Sequence, residues 1–161
     1  MKIAIAIRDV RDAETALADA LGTIGERHRA DHDVFHLSRT LIRVHRSNIE
    51  ALAPFGDRYG TAVDREEADG GEGLLSRARE KASELAGRRP EAGLLLLHDL
   101  RRLHLLYAEA SIDWVLLGQG AQAIRDGKLL DTVSGCHAQT LRGMKWTVTR
   151  LKTAAPQVLA G

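Results

Sequence analysis

Residues 91–126 read EAGLLLLHDLRRLHLLYAEASIDWVLLGQGAQAIRD. This stretch decides the fold. Its apolar residues fall on nearly every side of a helix. A helix that is apolar all round is normally buried inside a larger assembly. The stretch therefore predicts a central helix that ends at Asp126-Gly127, with Gly127 as its C-cap. Leu103, Leu106 and Leu116 are expected in the core.

Working outward, the other segments share the helical period. Val10, Ala13, Leu17, Leu21 and Ile24 follow the i, i+3, i+4 rule, with Gly22 and Gly25 weakening the end. Either Asp31 or Asp33 caps a second helix or the chain runs through as one long helix; this segment carries Val34, Leu37, Leu41, Val44 and Leu52 inward and stops near Pro54-Phe55-Gly56. A third segment is expected at about 74–86 and a last helix at about 128–153, before Pro156. Residues 3–7 alternate Ile and Ala like a strand, but no second such run exists to pair with them. They form a helix start or an arm. Residues 60–73 are acidic and Gly-rich, which reads as a solvated loop. The expectation is an all-α chain: one domain over 1–161, an up-down antiparallel bundle of four main helices around an apolar central helix.

Composition narrows the function classes. A net charge of +1 gives no global field to attract nucleic acid or an anionic membrane. Cys136 is the only cysteine, so no intramolecular disulfide or Cys-based zinc site exists. The uncharged runs are too short to span a bilayer. Charge follows Met1-Lys2-Ile3-Ala4-Ile5-Ala6-Ile7 at once, at Arg8 and Asp9, so no secretory leader is legible. The chain reads as cytoplasmic.

Three surfaces could carry function. His28, His32 and His36 are spaced by four, which stacks imidazoles on one helix face as in two-histidine metal sites. His32 and His36 nonetheless lie roughly opposite Val34, Leu41 and Leu52, so they point to solvent. His98, Arg102, Glu109 and Asp113 form a polar stripe along the long apolar helix. That stripe either faces water, or pairs internally, or lines a metal site through His98, Glu109 and Asp113. Finally, Arg142, Trp146 and Arg150 repeat at i, i+4, i+8 on a helix without acids after Asp131. Trp between guanidinium groups is the composition of a contact hot spot. His45 and His137 fall on core stripes and are expected as buried neutral imidazoles with a partner.

The long helices with scattered histidines and carboxylates are similar in shape to ferritin-like and haemerythrin-like bundles. The ferritin-like resemblance implies a Glu-x-x-His motif on two helices, and none is present: Glu26 reaches Arg29, and Glu109 reaches Ile112. Arg39-x5-His45, with Thr40 after the Arg, loosely resembles the Arg-x(4–6)-His signature of helical HEPN ribonucleases. Gly118-Gln119-Gly120 lacks the strand-to-helix context of a phosphate loop. Cys136 and His137 are adjacent on a helix, so they diverge by about 100° and form no nucleophile–base pair. The sequence thus favours a non-enzymatic interaction or accessory protein acting through contacts, as a homo-oligomer or with a protein partner, and no cofactor is expected. The alternative is a bundle that binds a divalent metal through histidines and carboxylates.

Overall fold

A computed structural model describes residues 2–61 and 91–161. They form four helices: α1 (Lys2–Arg27), α2 (His32–Tyr59), α3 (Ala92–Ala123) and α4 (Gly127–Ala160). The expected segment at 74–86 and most of the acidic Gly-rich loop lie outside the described residues. Residues 3–7 are the start of α1, because Ile3, Ala4 and Ile7 are buried on one face of a helix.

The helices form an all-α bundle. α1 packs along α2 and α3, α4 packs along α3, and α2 touches α4 more lightly. Cross-helix contacts set the directions. Arg27 meets Asp99 at one end, while Ile3 lies against Gly120 at the other, so α1 and α3 are antiparallel. Asp31 pairs with Arg150, and Arg58 with Asp126, so α2 and α4 are antiparallel too. α1 opposes α2 through Gly25 and Ser38, and α3 opposes α4 through Gly118 and Val133. Every side-by-side pair is thus antiparallel. α1/α4 and α2/α3 are the parallel diagonals, so α2 ends and α3 begins at opposite ends of the bundle.

Helix ends follow local chemistry, and three of them differ from the sequence expectation. α2 runs through Pro54 to Tyr59 and stops at Gly60, whose φ of 79° suits a residue without Cβ. α3 stops at Ala123, and the left-handed turn falls on Arg125, φ 57°. Gly127 therefore opens α4 rather than closing α3. The stop is imposed by Asp126, whose carboxylate accepts the Leu129 N–H at 3.1 Å and caps α4. α4 continues past Pro156 to Ala160.

The core splits into two apolar clusters. One holds Ile7, Val10, Leu52, Phe55, Leu117 and Leu129 near one end. The other holds Leu17, Leu21, Val34, Leu100 and Leu103 near the other end. Between them lies a layer of buried polar side chains. Tyr107 crosses to α4 in this region, and a side chain at Gly143 would overlap its ring. No helix among the described residues is long and apolar enough to cross a membrane.

α3 is not enclosed, which corrects the central-helix expectation. It occupies a corner of the bundle and shows a broad face to solvent. Leu103 is fully buried, Leu106 half-buried, and Leu116 is 60% exposed. The physical reason is that two neighbours cover only part of a helix's circumference, and α3 is apolar over more of it than α1 and α4 cover. Leu103→Ala is expected to cost about 2–5 kcal/mol, as buried leucine truncations do. Leu116→Ala should cost the isolated chain less than about 1 kcal/mol. Urea denaturation of the two variants checks the contrast.

Candidate functional site

The buried polar layer is built from all four helices. Glu14 on α1 is fully buried, and its carboxylate accepts four hydrogen bonds. Trp114 Nε1 of α3 and Thr140 Oγ1 of α4 donate to Oε1, each at 2.7 Å. His45 Nδ1 and Asn48 Nδ2 of α2 donate to Oε2 at 2.7 and 3.0 Å. An ionised carboxylate only accepts, so Nδ1 of His45 carries the proton. Its Nε2 is hydrogen-bonded to the Tyr107 hydroxyl at 2.8 Å. Burial alone would raise the Glu14 pKa, but the bonds from His45, Trp114 and Thr140 outweigh it and hold the acid below its ordinary range. Burial and the Glu14 charge push the Tyr107 phenol up.

This layer is chemically rich and sealed. Glu14, His45, Tyr107, Trp114 and Thr140 are all at 0% exposure. No substrate atom reaches them, and each lone pair of the carboxylate is occupied. The arrangement sets the mutual register of four helices, since a one-residue slip of any helix would strand a buried donor. Sequence periodicity places His45 inward but leaves Glu14 unread as a core residue. The signal is present: Glu14 sits four after Val10 and three before Leu17, on the apolar stripe itself. Asn48 and Thr140 likewise occupy stripe positions.

The three histidines of the first candidate do not form one set. His28 is buried, against the expectation of a solvated face, because the chain turns from α1 to α2 there and folds the ring inward. Its Nε2 lies 2.8 Å from Asp99 Oδ2, and Arg27 Nη1 holds both oxygens of Asp99 at 2.9 Å. Burial pushes the Asp99 acid up, but His28 and Arg27 prevail and lower it. His32 and His36 are exposed as expected, with ring centroids 4.8 Å apart.

The polar stripe of α3 separates into two parts. His98 is exposed, its Nδ1 3.7 Å from Asp99 Oδ1. Glu109 is eleven residues further on, about 16 Å along the axis. Glu109 and Asp113 instead face Asp9 and Asp12 of α1 across a shallow cleft of about 370 Å³. Partial burial and the charges of Asp9 and Glu109 raise the Asp113 pKa. The structure thus does not bring His98 to Glu109 and Asp113. Among the described residues, no three His, Cys, Asp or Glu side chains are placed to hold a metal ion.

Arg142, Trp146 and Arg150 also differ from the expected shared outward face. The buried stripe of α4 runs through Leu129, Val133, Cys136, Thr140, Gly143 and Thr147, and Met144 and Leu151 beside it are only half-buried. That rotation brings Trp146 half under cover, packed against the second core cluster. Arg150 pairs with Asp31, the cap of α2, and only Arg142 stays exposed. One meeting was not legible in sequence. Trp146 and Arg150 share a groove of about 520 Å³ with His32, Asp33, His36 and Thr149. The residues of the Arg39-x5-His45 pattern do not meet: His45 is buried on Glu14, while Arg39 is exposed and lies over the Phe35 ring at 5.5 Å.

Nucleophiles are equally unpromising. Burial pushes the Cys136 thiol up to about 11, away from thiolate chemistry. His137 is half-buried rather than fully inward, and its Nε2 meets Ser111 Oγ at 2.9 Å. Both residues sit within helices, whose backbone N–H groups are already committed, so no oxyanion donors face the pair.

Among the described residues, α3 also carries a row of exposed aliphatic side chains. Leu94, Leu105, Ile112, Val115 and Leu116 of α3 are all exposed, with Leu105 at 53% and Ile112 at 59%. Leu94, Leu105, Ile112 and Leu116 fall within about 40° of one another on the helix wheel. Exposed His98 and Arg101 share this face between Leu94 and Leu105, so the unbroken apolar part runs from Leu105 to Leu116, roughly 16 Å. Compared with known proteins, the chain matches no family model, no curated sequence and no solved structure.

Proposed function

We propose that this chain works through protein contacts, without a bound cofactor, and that the outer face of α3 is the contact surface. The observation that carries this reading is the row of three large aliphatic side chains, Leu105, Ile112 and Leu116, left in water on one face of α3. Single exposed leucines are ordinary, but a contiguous apolar stripe on a folded chain marks a binding surface. The polar chemistry supports the same reading from the other side. The Glu14–His45–Tyr107 network is inaccessible, and the remaining histidines and acids are dispersed over separate faces. The groove at Trp146 is a secondary contact surface, since an indole beside exposed imidazoles and Arg150 suits a polar partner.

The test replaces Leu105, Ile112 and Leu116 together by Ser. Circular dichroism and urea stability of the isolated chain are expected to stay near wild type, because these side chains support no intrachain core. Binding of an apolar dye such as ANS, or self-association where that face is covered, is expected to fall sharply. A triple variant whose dye binding and association both equal those of wild type would overturn the reading.

A further inference from the structure

We infer that the partner on the α3 face is a second copy of this chain, seated antiparallel about a two-fold axis near residues 107 and 108. The inference rests on the contact reading above and names its occupant. Three observations lead to it.

The first is the charge pattern beside the stripe. With Ile112 at zero on the helix wheel, Arg102 lies at about 80°, Glu109 at about 60° and Asp113 at about 100°. All three border the same edge of the stripe. The basic residue is on the N-terminal half and the acids are on the C-terminal half. Asp9 of α1 adds to the acidic end. Among the described residues, Arg102, Asp9, Glu109 and Asp113 form no ion pair.

The second is symmetry. In an antiparallel two-fold pair, each edge of the stripe meets the same edge of the other copy, and every contact occurs twice. An axis near 107 and 108 sets Arg102 against the second copy's Asp113, with Glu109 alongside. A parallel pair would set this edge against the one carrying His104 and Ser111, which offers no matching charge. Only the antiparallel arrangement neutralises the acidic end of one copy with the basic end of the other.

The third is fit. Ala108 lies halfway along the face, on the edge opposite Glu109, where its small side chain does not hinder two helix axes from coming within about 8–10 Å. Leu105 and Ile112 flank it and interdigitate with their counterparts. The apolar contact continues to Leu116, and beyond Leu105 the exposed Arg101 and His98 add to the basic N-terminal half of the face.

Cysteine cross-linking reads the geometry. Ala108→Cys places two thiols near the axis, and mild oxidation is expected to yield a covalent dimer. Leu94→Cys places its two thiols about 40 Å apart, and no covalent dimer is expected. Wild type, whose one thiol is buried, is the control. Cross-linking of both variants would mean a parallel pair and would overturn the inference. Cross-linking of neither would overturn it as well. The contact reading then survives separately if the wild-type monomer binds ANS and the triple-Ser variant does not. Charge swaps provide the independent arm. Arg102→Asp and Asp113→Arg should each weaken the dimer about tenfold or more, while the double swap restores it to within about threefold. A double swap no tighter than the single ones would also overturn the antiparallel assignment.

Discussion

Glu14→Ala is expected to destabilise the chain by at least about 4 kcal/mol, a large share of the stability of a domain this size. The substitution removes the acceptor for four donors at once: His45, Asn48, Trp114 and Thr140. Each buried donor left without a partner costs about 1–3 kcal/mol. Glu14→Gln is expected to cost less, about 2–3 kcal/mol. Its amide oxygen keeps two of the bonds, and Asn48 can turn its own oxygen toward the new NH₂. Urea denaturation at neutral pH measures both. A Glu14→Ala cost below about 1 kcal/mol would mean that the polar layer does not organise the bundle.

The same carboxylate fixes the sign of the acid response. Its folded pKa is below its ordinary value of 4.5. A lowered folded pKa means the contribution is fully present above the unfolded value and disappears as pH falls through the folded one. Asp99 and Asp31 are also lowered, so they act in the same direction. Asp113 and Asp19 are raised and partly oppose them. Stability should therefore decline below about pH 4.5, and Glu14→Gln should flatten that decline.

Ile112→Asp is the second large effect, and it concerns association rather than folding. The residue is 59% exposed, so the lone chain loses little from the change. In a two-fold interface the substitution is counted twice, and two carboxylates would be desolvated at its centre. Association is expected to weaken by at least about a hundredfold. Helix content by circular dichroism should not change. An Ile112→Asp chain that associates as tightly as wild type would exclude this face from the interface.

α1, α2 and α4 were legible because apolar residues repeat at helical spacing, and α3 because a long stretch is apolar on nearly every side. Their exact ends were less so, since caps depend on which carboxylate reaches a free N–H: Asp126 took the turn that Gly127 offered. The rotation of α4 was misplaced for a related reason. Its buried face is lined by Cys136, Thr140, Gly143 and Thr147, small or polar residues that close helix packing admits and hydropathy overlooks. α3 shows the opposite error. Hydropathy registers how apolar its circumference is, but not how many neighbours cover it. Covered and bare leucines such as Leu103 and Leu116 carry the same local signal. Glu14 went unread because an acid is normally assigned to the outside, and only its place on the stripe of Val10 and Leu17 betrays it. His28 and Asp99 are 71 residues apart, so their meeting depends on tertiary packing alone.

Sedimentation equilibrium of the wild-type chain over micromolar to hundred-micromolar concentrations tests the central claim most directly. The account predicts a species of twice the 17.6 kDa chain mass, converted to the single-chain mass by Ile112→Asp. A 17.6 kDa species at every concentration, binding no more apolar dye than the Ile112→Asp variant, would contradict it.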